Sequence, residues 1–107
     1  MATIEVTAAD DDTVIAAEAG DTIAVRLPDN PATGYRWELE PVTGGAVVLD
    51  DVGYEPSSDA VGGGGVATLT LHAAASGTAS IRLKRWRPWE GDGSVRARFR
   101  VTVNVRG

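Results

Sequence analysis

Residues 95–106 read Val-Arg-Ala-Arg-Phe-Arg-Val-Thr-Val-Asn-Val-Arg. Apolar side chains occupy every second position of this stretch, and polar or charged side chains occupy the positions between them. A period of two indicates a β-strand with one buried and one solvated face, because successive side chains of a strand point to opposite sides. The stretch therefore predicts a long strand that contributes its valines and its phenylalanine to a core.

Shorter stretches with the same strand character lie upstream and are separated by glycine, proline, aspartate or serine. They predict strands over residues 3–6, 13–17, 22–27, 35–40, 47–49, 66–73 and 78–85. The chain nowhere sustains the apolar period of an amphipathic helix. We therefore expect an all-β fold, an immunoglobulin-like antiparallel β-sandwich of about seven or eight strands. Because the 107 residues contain neither a repeat nor a linker, we expect one domain over residues 1–107.

The composition argues against several kinds of catalytic and metal chemistry. The chain has no cysteine, and therefore no disulfide, no thiol nucleophile and no cysteine metal ligand. Its one histidine, His72, falls on the polar face of a predicted strand. The acidic runs at 10–12 and 50–51 lack the spacing of a calcium loop, and we interpret them as solvated turns. We expect neither an enzyme nor a bound cofactor.

The N-terminal residues bear on the compartment. Residues 1–6 lead directly into a strand pattern and contain neither a basic start nor the apolar run of a signal peptide. As written, the chain is expected to be cytoplasmic, whereas a leader removed earlier would make it secreted or periplasmic. Since no stretch approaches the roughly 20 apolar residues of a membrane helix, we expect no membrane partner. We also expect a monomer.

The net charge of −5 is unevenly distributed along the chain. Residues 82–107 carry a net charge of +6, and the remaining residues carry −11. Clustered arginines suit nucleic-acid phosphates, but these arginines alternate with apolar residues along one strand. We interpret them as a solubilising face with acidic partners on neighbouring strands, and the alternative is a partner-binding face. No nucleic-acid partner is expected.

Three segments with unusual composition fall on alternate connections between the predicted strands. They are Asn30-Pro31-Ala32-Thr33-Gly34-Tyr35, Gly62-Gly63-Gly64-Gly65 and Arg87-Pro88-Trp89. The connections that contain them are predicted at residues 28–34, 50–65 and 87–94. Because alternate connections of a sandwich share one end, the three segments are predicted to form one surface.

The first segment combines restricted and permissive backbone. Its prolines limit φ and Gly34 permits a positive φ, so we predict a stiff turn with a small tip at Ala32 and Thr33. An ordinary Asn-Pro turn closed by glycine is the alternative. Tyr35 and Trp37 alternate with charged residues, which favours a core position for both side chains.

The second segment is predicted to present backbone groups to a partner, and the third an exposed aromatic ring. The four glycines provide backbone that can pair with another chain as an added strand, and a flexible connection is the alternative. Trp89 follows a proline in a predicted turn, which indicates an exposed ring. Tryptophan and arginine are the residue types most enriched at interface hot spots, so this segment favours binding.

In their order and placement the three segments resemble the motifs of the chagasin family, protein inhibitors of papain-like cysteine proteases. Those motifs read N-P-T-T-G-[YF], G-x-G-G and R-P-W, and the resemblance covers about residues 22–105. It implies a protease-binding surface made of Asn30, Pro31, Ala32, Thr33, Gly34, Tyr35, Gly62, Gly63, Gly64, Gly65, Arg87, Pro88 and Trp89. Ala32 stands where the family usually has threonine, and the loss of a hydroxyl and a β-branch bears on affinity and target range.

The resemblance also implies a mechanism. The first segment would enter the active-site cleft of the protease while the other two grip its sides, so that inhibition is reversible, competitive and non-covalent. Trp89 would be the anchor, and Thr33 would lie nearest the catalytic thiolate. The alternative function is a non-inhibitory module for adhesion or carbohydrate binding, with Trp86 and Trp89 as a stacking platform.

Overall fold

A computed structural model describes residues 2–29, 34–42, 44–56 and 64–107. Strands and short 3₁₀ turns make up the regular structure of these ranges. The strands are β1 (Thr3–Thr7), β2 (Thr13–Glu18), β3 (Thr22–Asp29), β4 (Arg36–Leu39), β5 (Val47–Pro56), β6 (Gly65–Ala73), β7 (Gly77–Trp86) and β8 (Ala97–Arg106). The 3₁₀ turns are Ala8–Asp10, Pro88–Glu90 and Asp92–Ser94. In the described ranges no helix has the length and apolar character needed to cross a membrane.

The strands form two four-stranded sheets, which confirms the predicted sandwich. The first sheet has the order β1-β3-β6-β5 and the second has the order β2-β8-β7-β4. Most neighbouring strands are antiparallel, but β1 pairs with β3 and β2 pairs with β8 in parallel. Parallel pairing arises because β2 lies in the second sheet, so the chain crosses between the sheets twice and returns as β3 in the direction of β1.

One buried core lies between the sheets, and the strand period predicts which side chains enter it. On β8, Phe99, Val101 and Val103 are buried while Arg98 and Arg100 are exposed. The alternation seen in the sequence is therefore the alternation of the structure. The largest fully buried side chains are Ile23, Leu27, Leu71, Ile81, Leu83, Val6, Val25, Val101 and Val103.

Strand β5 is longer than the sequence predicts. It runs to Pro56 rather than ending at residue 49, and it pairs along β6 with a bulge between Leu49 and Asp51. The bulge accommodates an extra aspartate within the ladder, so Asp50 and Asp51 lie in a strand and their interpretation as a turn is wrong. The predicted connection 50–65 was too long for the same reason. Two adjacent aspartates disfavour a strand locally, but β6 supplies hydrogen-bonding partners over the whole length of β5.

The turn between β2 and β3 is closed by the side chain of Asp21, which is only 7% exposed. One carboxylate oxygen accepts a hydrogen bond from the N–H of Glu18 and the other accepts one from the N–H of Ala2, both at 2.9 Å. These hydrogen bonds, first that from Glu18 and then that from Ala2, lower the pKa of Asp21 because they favour the charged carboxylate. A single side chain thus joins the N-terminal strand to the turn.

Candidate functional site

The strand ends that flank the three predicted segments lie at one end of the sandwich, which we call the motif end. In the first sheet Gly65 pairs with both Asp29 and Pro56, so β3 and β5 end where β6 begins. In the second sheet Arg36 pairs with Trp86, so β7 ends where β4 begins. The Nε1–H of Trp37 in β4 donates a 2.9 Å hydrogen bond to the carbonyl oxygen of Pro28 in β3, and this bond joins the two sheets at the motif end.

The first and third segments are in contact at the motif end. Gly34 has φ +80°, a conformation that favours glycine. A β-carbon built on it would lie 3.1 Å from two carbons of the Trp89 ring and 3.5 Å from Nε of Arg87. Any side chain at position 34 would therefore press on both Arg87 and Trp89 of the third segment.

The buried ring of Tyr35 packs against the third segment through its contact with Arg87. The side chain of Tyr35 is only 8% exposed, which agrees with the predicted core position. The Arg87 guanidinium lies 4.3 Å from the centroid of its ring and that of Arg96 lies 4.8 Å away, both within the range of cation–π contacts. Because Arg87 also forms a 3.1 Å ion pair with Glu90, its side chain is held by intramolecular contacts on two sides.

Trp89 is the large aromatic residue that this arrangement presents to solvent. Its side chain is 69% exposed, the highest exposure among the large hydrophobic residues of the described ranges. It lies in the 3₁₀ turn Pro88–Glu90, whose proline limits the backbone. The predicted exposure of Trp89 is therefore confirmed.

The glycine segment is described only at its C-terminal half. Gly64 precedes β6, and Gly65 is the first residue of β6, with strand partners on both sides. A β-carbon at position 65 would overlap the backbone oxygen of Glu55 and would lie 2.5 Å from the hydroxyl of Tyr54. Close packing inside the first sheet therefore requires glycine at position 65, independently of any partner. The predicted site residues Asn30, Pro31, Ala32, Thr33, Gly62 and Gly63 lie outside the described residues.

Trp86 differs from Trp89 although only two residues lie between them in the sequence. It ends β7 and is partly buried, and the Lys84 ammonium lies 3.6 Å from the centroid of its ring. Its Nε1–H is buried and has no hydrogen-bond partner among the described residues. Because a lysine covers Trp86, the geometry does not support a stacking platform built from both tryptophans.

The basic outer face of the second sheet is neutralised by carboxylates, in agreement with its interpretation as a solubilising face. Arg98 pairs with Glu40 at 3.1 Å, and Arg100 pairs with Asp12, whose hydrogen bond raises the pKa of the arginine. A groove of about 420 Å³ on this face mixes three arginines with three acidic side chains. Such a groove has no single-sign field of the kind that attracts nucleic acid.

The described part of the chain forms no cluster of metal-binding side chains, and its histidine lies at the surface. Within this part, no group of three or more histidine, aspartate or glutamate side chains is placed to hold a metal ion. His72 lies on the outer side of β6, with Nδ1 2.8 Å from a carboxylate oxygen of Asp50. Both side chains of this pair are about two-fifths exposed, at 40% and 44%, so the pair lies at the surface rather than in a pocket.

Two features of the motif end were missed by sequence reasoning. One is the support from Arg96 and from Ser94, whose hydroxyl lies inside the third connection. The other is a fourth connection on this side of the sandwich, residues 8–12 between β1 and β2, which follows from the parallel pairing of β1 with β3. A serine three residues after a glycine is a weak signal of a hydroxyl-capped turn, and it could have identified Ser94.

Comparison with known proteins agrees with this geometry. A family model described as "Chagasin family peptidase inhibitor I42" matches residues 16–103. Chagasin of Trypanosoma cruzi is 28% identical over 106 residues, which cover 94% of this chain and 96% of that protein. Amoebiasin-2 of Entamoeba histolytica is 36% identical over 72 residues, which cover 65% of this chain and 58% of amoebiasin-2. The crystal structure of the cysteine protease inhibitor EhICP2 from Entamoeba histolytica superposes with a TM-score of 0.88 at 27% identity, covering 99% and 97% of the two chains.

Proposed function

The chain belongs to the chagasin family of peptidase inhibitors, and we propose that it blocks the active-site cleft of papain-like cysteine proteases with the connections at its motif end. The similar inhibitor EhICP2 is named as an inhibitor of cysteine proteases, which supports this target class. The observation that carries the proposal is the exposed ring of Trp89 on a connection that other residues hold in place. An exposed tryptophan on an ordered turn is typical of an interface anchor.

The packing of the motif end favours binding because little order has to be gained on association. In the free chain Gly34 already packs against Trp89 and Arg87, and Arg87 already contacts the ring of Tyr35. Fixing such a set of side chains beforehand reduces the conformational entropy that is lost when a complex forms. Three short connections can cover an interface of about 1,600 Å², the usual size of a protease–inhibitor contact.

The proposed inhibition is non-covalent. The chain contains no cysteine, and its only histidine lies on the outer side of β6. It therefore offers no thiol to form a mixed disulfide with a catalytic cysteine. We expect Trp89 to contact the rim of the cleft and the first segment, including Thr33, to occupy the cleft next to the catalytic thiolate.

The proposal is tested by titrating papain activity with the purified chain at several substrate concentrations. We expect reversible inhibition that rising substrate overcomes, and intact mass spectrometry should recover the inhibitor uncleaved and without an adduct. A chain that leaves papain and other papain-like proteases active at micromolar concentration would refute the proposed function. A covalent adduct, or routine cleavage between Ala32 and Thr33, would refute the mechanism.

A further inference from the structure

The third connection at the motif end consists of two short 3₁₀ turns, Pro88–Glu90 and Asp92–Ser94. They meet at Gly91, which has φ +77°. Hydrogen bonds of 3₁₀ type are less favourable than those of an α-helix, so such turns are seldom stable without additional support. The shape of this connection therefore depends on contacts other than its own turn hydrogen bonds.

The hydroxyl of Ser94 supplies such contacts from inside the connection. It accepts a 3.0 Å hydrogen bond from the backbone N–H of Arg87. Its single proton faces two carbonyl oxygens, that of Gly91 at 2.7 Å and that of Arg87 at 3.0 Å. Since Arg87 begins the first turn and Ser94 ends the second, one partly buried hydroxyl ties the two ends of the connection together.

Trp89 lies between these two ends, and its side chain is 69% exposed. Its ring borders Gly34, and most of its surface faces solvent. Because most of the ring is exposed, its direction depends on the backbone of the turn Pro88–Glu90. That backbone is held by the N–H of Glu90, which donates to the carbonyl oxygen of Arg87 at 2.9 Å, the same oxygen that Ser94 contacts.

We propose that Ser94 is a positioning residue for inhibition, a role that rests on the proposed function of the chain. It does not contact the protease. Its hydroxyl keeps the third connection in the conformation that presents Trp89, so that this conformation is populated before the protease arrives. When only a fraction of the molecules has the competent loop, the apparent affinity falls by that fraction.

The test compares Ser94→Ala, Ser94→Thr and the control Ser76→Ala, which removes an exposed hydroxyl from the turn between β6 and β7 at the other end of the sandwich. Inhibition constants and association rates are measured with papain, and exchange of the Arg87 amide is measured by NMR in the free protein. For Ser94→Ala we expect about fivefold to tenfold weaker inhibition, slower association and at least roughly tenfold faster exchange. The threonine variant, which keeps the hydroxyl, should remain close to the parent, and Ser76→Ala should change neither measurement.

The outcomes separate this inference from the proposed function. If the parent chain inhibits papain and Ser94→Ala inhibits it equally well, the positioning role is wrong, whatever happens to amide exchange. If the threonine variant is as weak as the alanine variant, the hydroxyl is not the group responsible, and the inference is also wrong. Failure of the parent chain itself to inhibit would refute the proposed function and would leave the faster exchange of Arg87 as a property of the loop alone.

Discussion

At both ends of the sandwich a side-chain oxygen in a connection accepts a hydrogen bond from a backbone N–H group, but the two ends present different surfaces to solvent. At the motif end the Ser94 hydroxyl accepts the N–H of Arg87 at 3.0 Å, and at the opposite end the Asp21 carboxylate accepts the N–H groups of Glu18 and Ala2 at 2.9 Å. The turn at Asp21 contains only the small residues Ala19 and Gly20, whereas the motif end exposes Trp89. A hydrogen-bonded turn therefore occurs at both ends of the scaffold, and the exposed ring of Trp89 is what distinguishes the motif end.

This difference implies that stability and binding depend on separate residues. Side chains that close turns or fill the core should change the free energy of unfolding when they are altered. The exposed side chain of the motif end should change the affinity for a protease and leave the free energy of unfolding nearly unchanged. Variants of both kinds of residue test that separation by denaturation and by inhibition of papain.

The largest expected effect is that of Trp37→Ala on stability. The ring packs against the core, and its Nε1–H joins the two sheets through the carbonyl oxygen of Pro28. Truncation of a tryptophan in such a position costs about 3 kcal/mol of unfolding free energy, because it leaves a cavity and removes a hydrogen bond between the sheets. Chemical denaturation measures the change, and a loss below about 1 kcal/mol would mean that Trp37 is not part of the scaffold.

Trp89→Ala is expected to act on binding instead. We expect inhibition of papain to weaken by about 2 kcal/mol, roughly thirtyfold, mainly through faster dissociation, because an exposed anchor loses its pocket on the protease. The denaturation midpoint should stay within error of the parent, since the ring is 69% exposed. Surface plasmon resonance and denaturation give the two numbers. If this variant unfolds, or if it inhibits papain as well as the parent does, Trp89 is not the anchor.

Gly34→Ala tests the contact between the first and third segments. Alanine at φ +80° costs about 1 kcal/mol of backbone strain, and its methyl group would press on the Trp89 ring from 3.1 Å. We expect inhibition to weaken by about fivefold as the ring is displaced.

Gly44→Ala is the matched control for this variant. Gly44 has φ +81°, but the nearest atom to a β-carbon there is the carbonyl oxygen of Thr78 at 3.8 Å. It lies in the connection between β4 and β5, away from the motif end. The two variants should lose similar stability, and only Gly34→Ala should lose inhibition. Equal inhibition by both would show that the contact between Gly34 and Trp89 does not matter for binding.

The smallest expected effect is a pH dependence that arises at the opposite end. Backbone hydrogen bonds lower the pKa of Asp21 in the folded chain relative to the unfolded chain. The charged carboxylate therefore stabilises the fold above about pH 4, and this contribution is lost as the pH falls through the folded pKa. The stability difference between the parent and Asp21→Asn should be full at pH 7 and should shrink below about pH 4.

Asp51→Asn is the control for this pH dependence, because Asp51 is an exposed residue of β5. Urea denaturation at several pH values measures both variants, and inhibition of papain at neutral pH should be the same for both. A stability difference between the parent and Asp21→Asn that is independent of pH would show that the Asp21 carboxylate is not preferentially charged in the folded state.

Much of the fold could be predicted because a strand with one buried and one solvated face has an alternating sequence of apolar and polar residues. The alternation on β8 and β7 reflects one buried and one solvated face, and both strands form where the alternation predicts them, although β8 begins at Ala97 rather than at Val95. The full length of β5 was not predictable, since two aspartates interrupt its pattern and only pairing with β6 continues the strand past them. At the motif end, proline and glycine next to tryptophan indicated an exposed turn, and Trp89 is exposed.

The sequence by itself determined the strand order in the chain, the core residues and the three segments with binding character. The tertiary structure alone decided which of these residues touch. Gly34 packs against Trp89, and Tyr35 lies within cation–π distance of both Arg87 and Arg96. At position 65 the backbone of a neighbouring strand leaves room only for glycine. These contacts join residues distant in sequence, and their distances depend on how two sheets pack, which no local periodicity records. The division between a buried tyrosine that supports the loop and an exposed tryptophan that can bind is therefore a property of the packed sandwich.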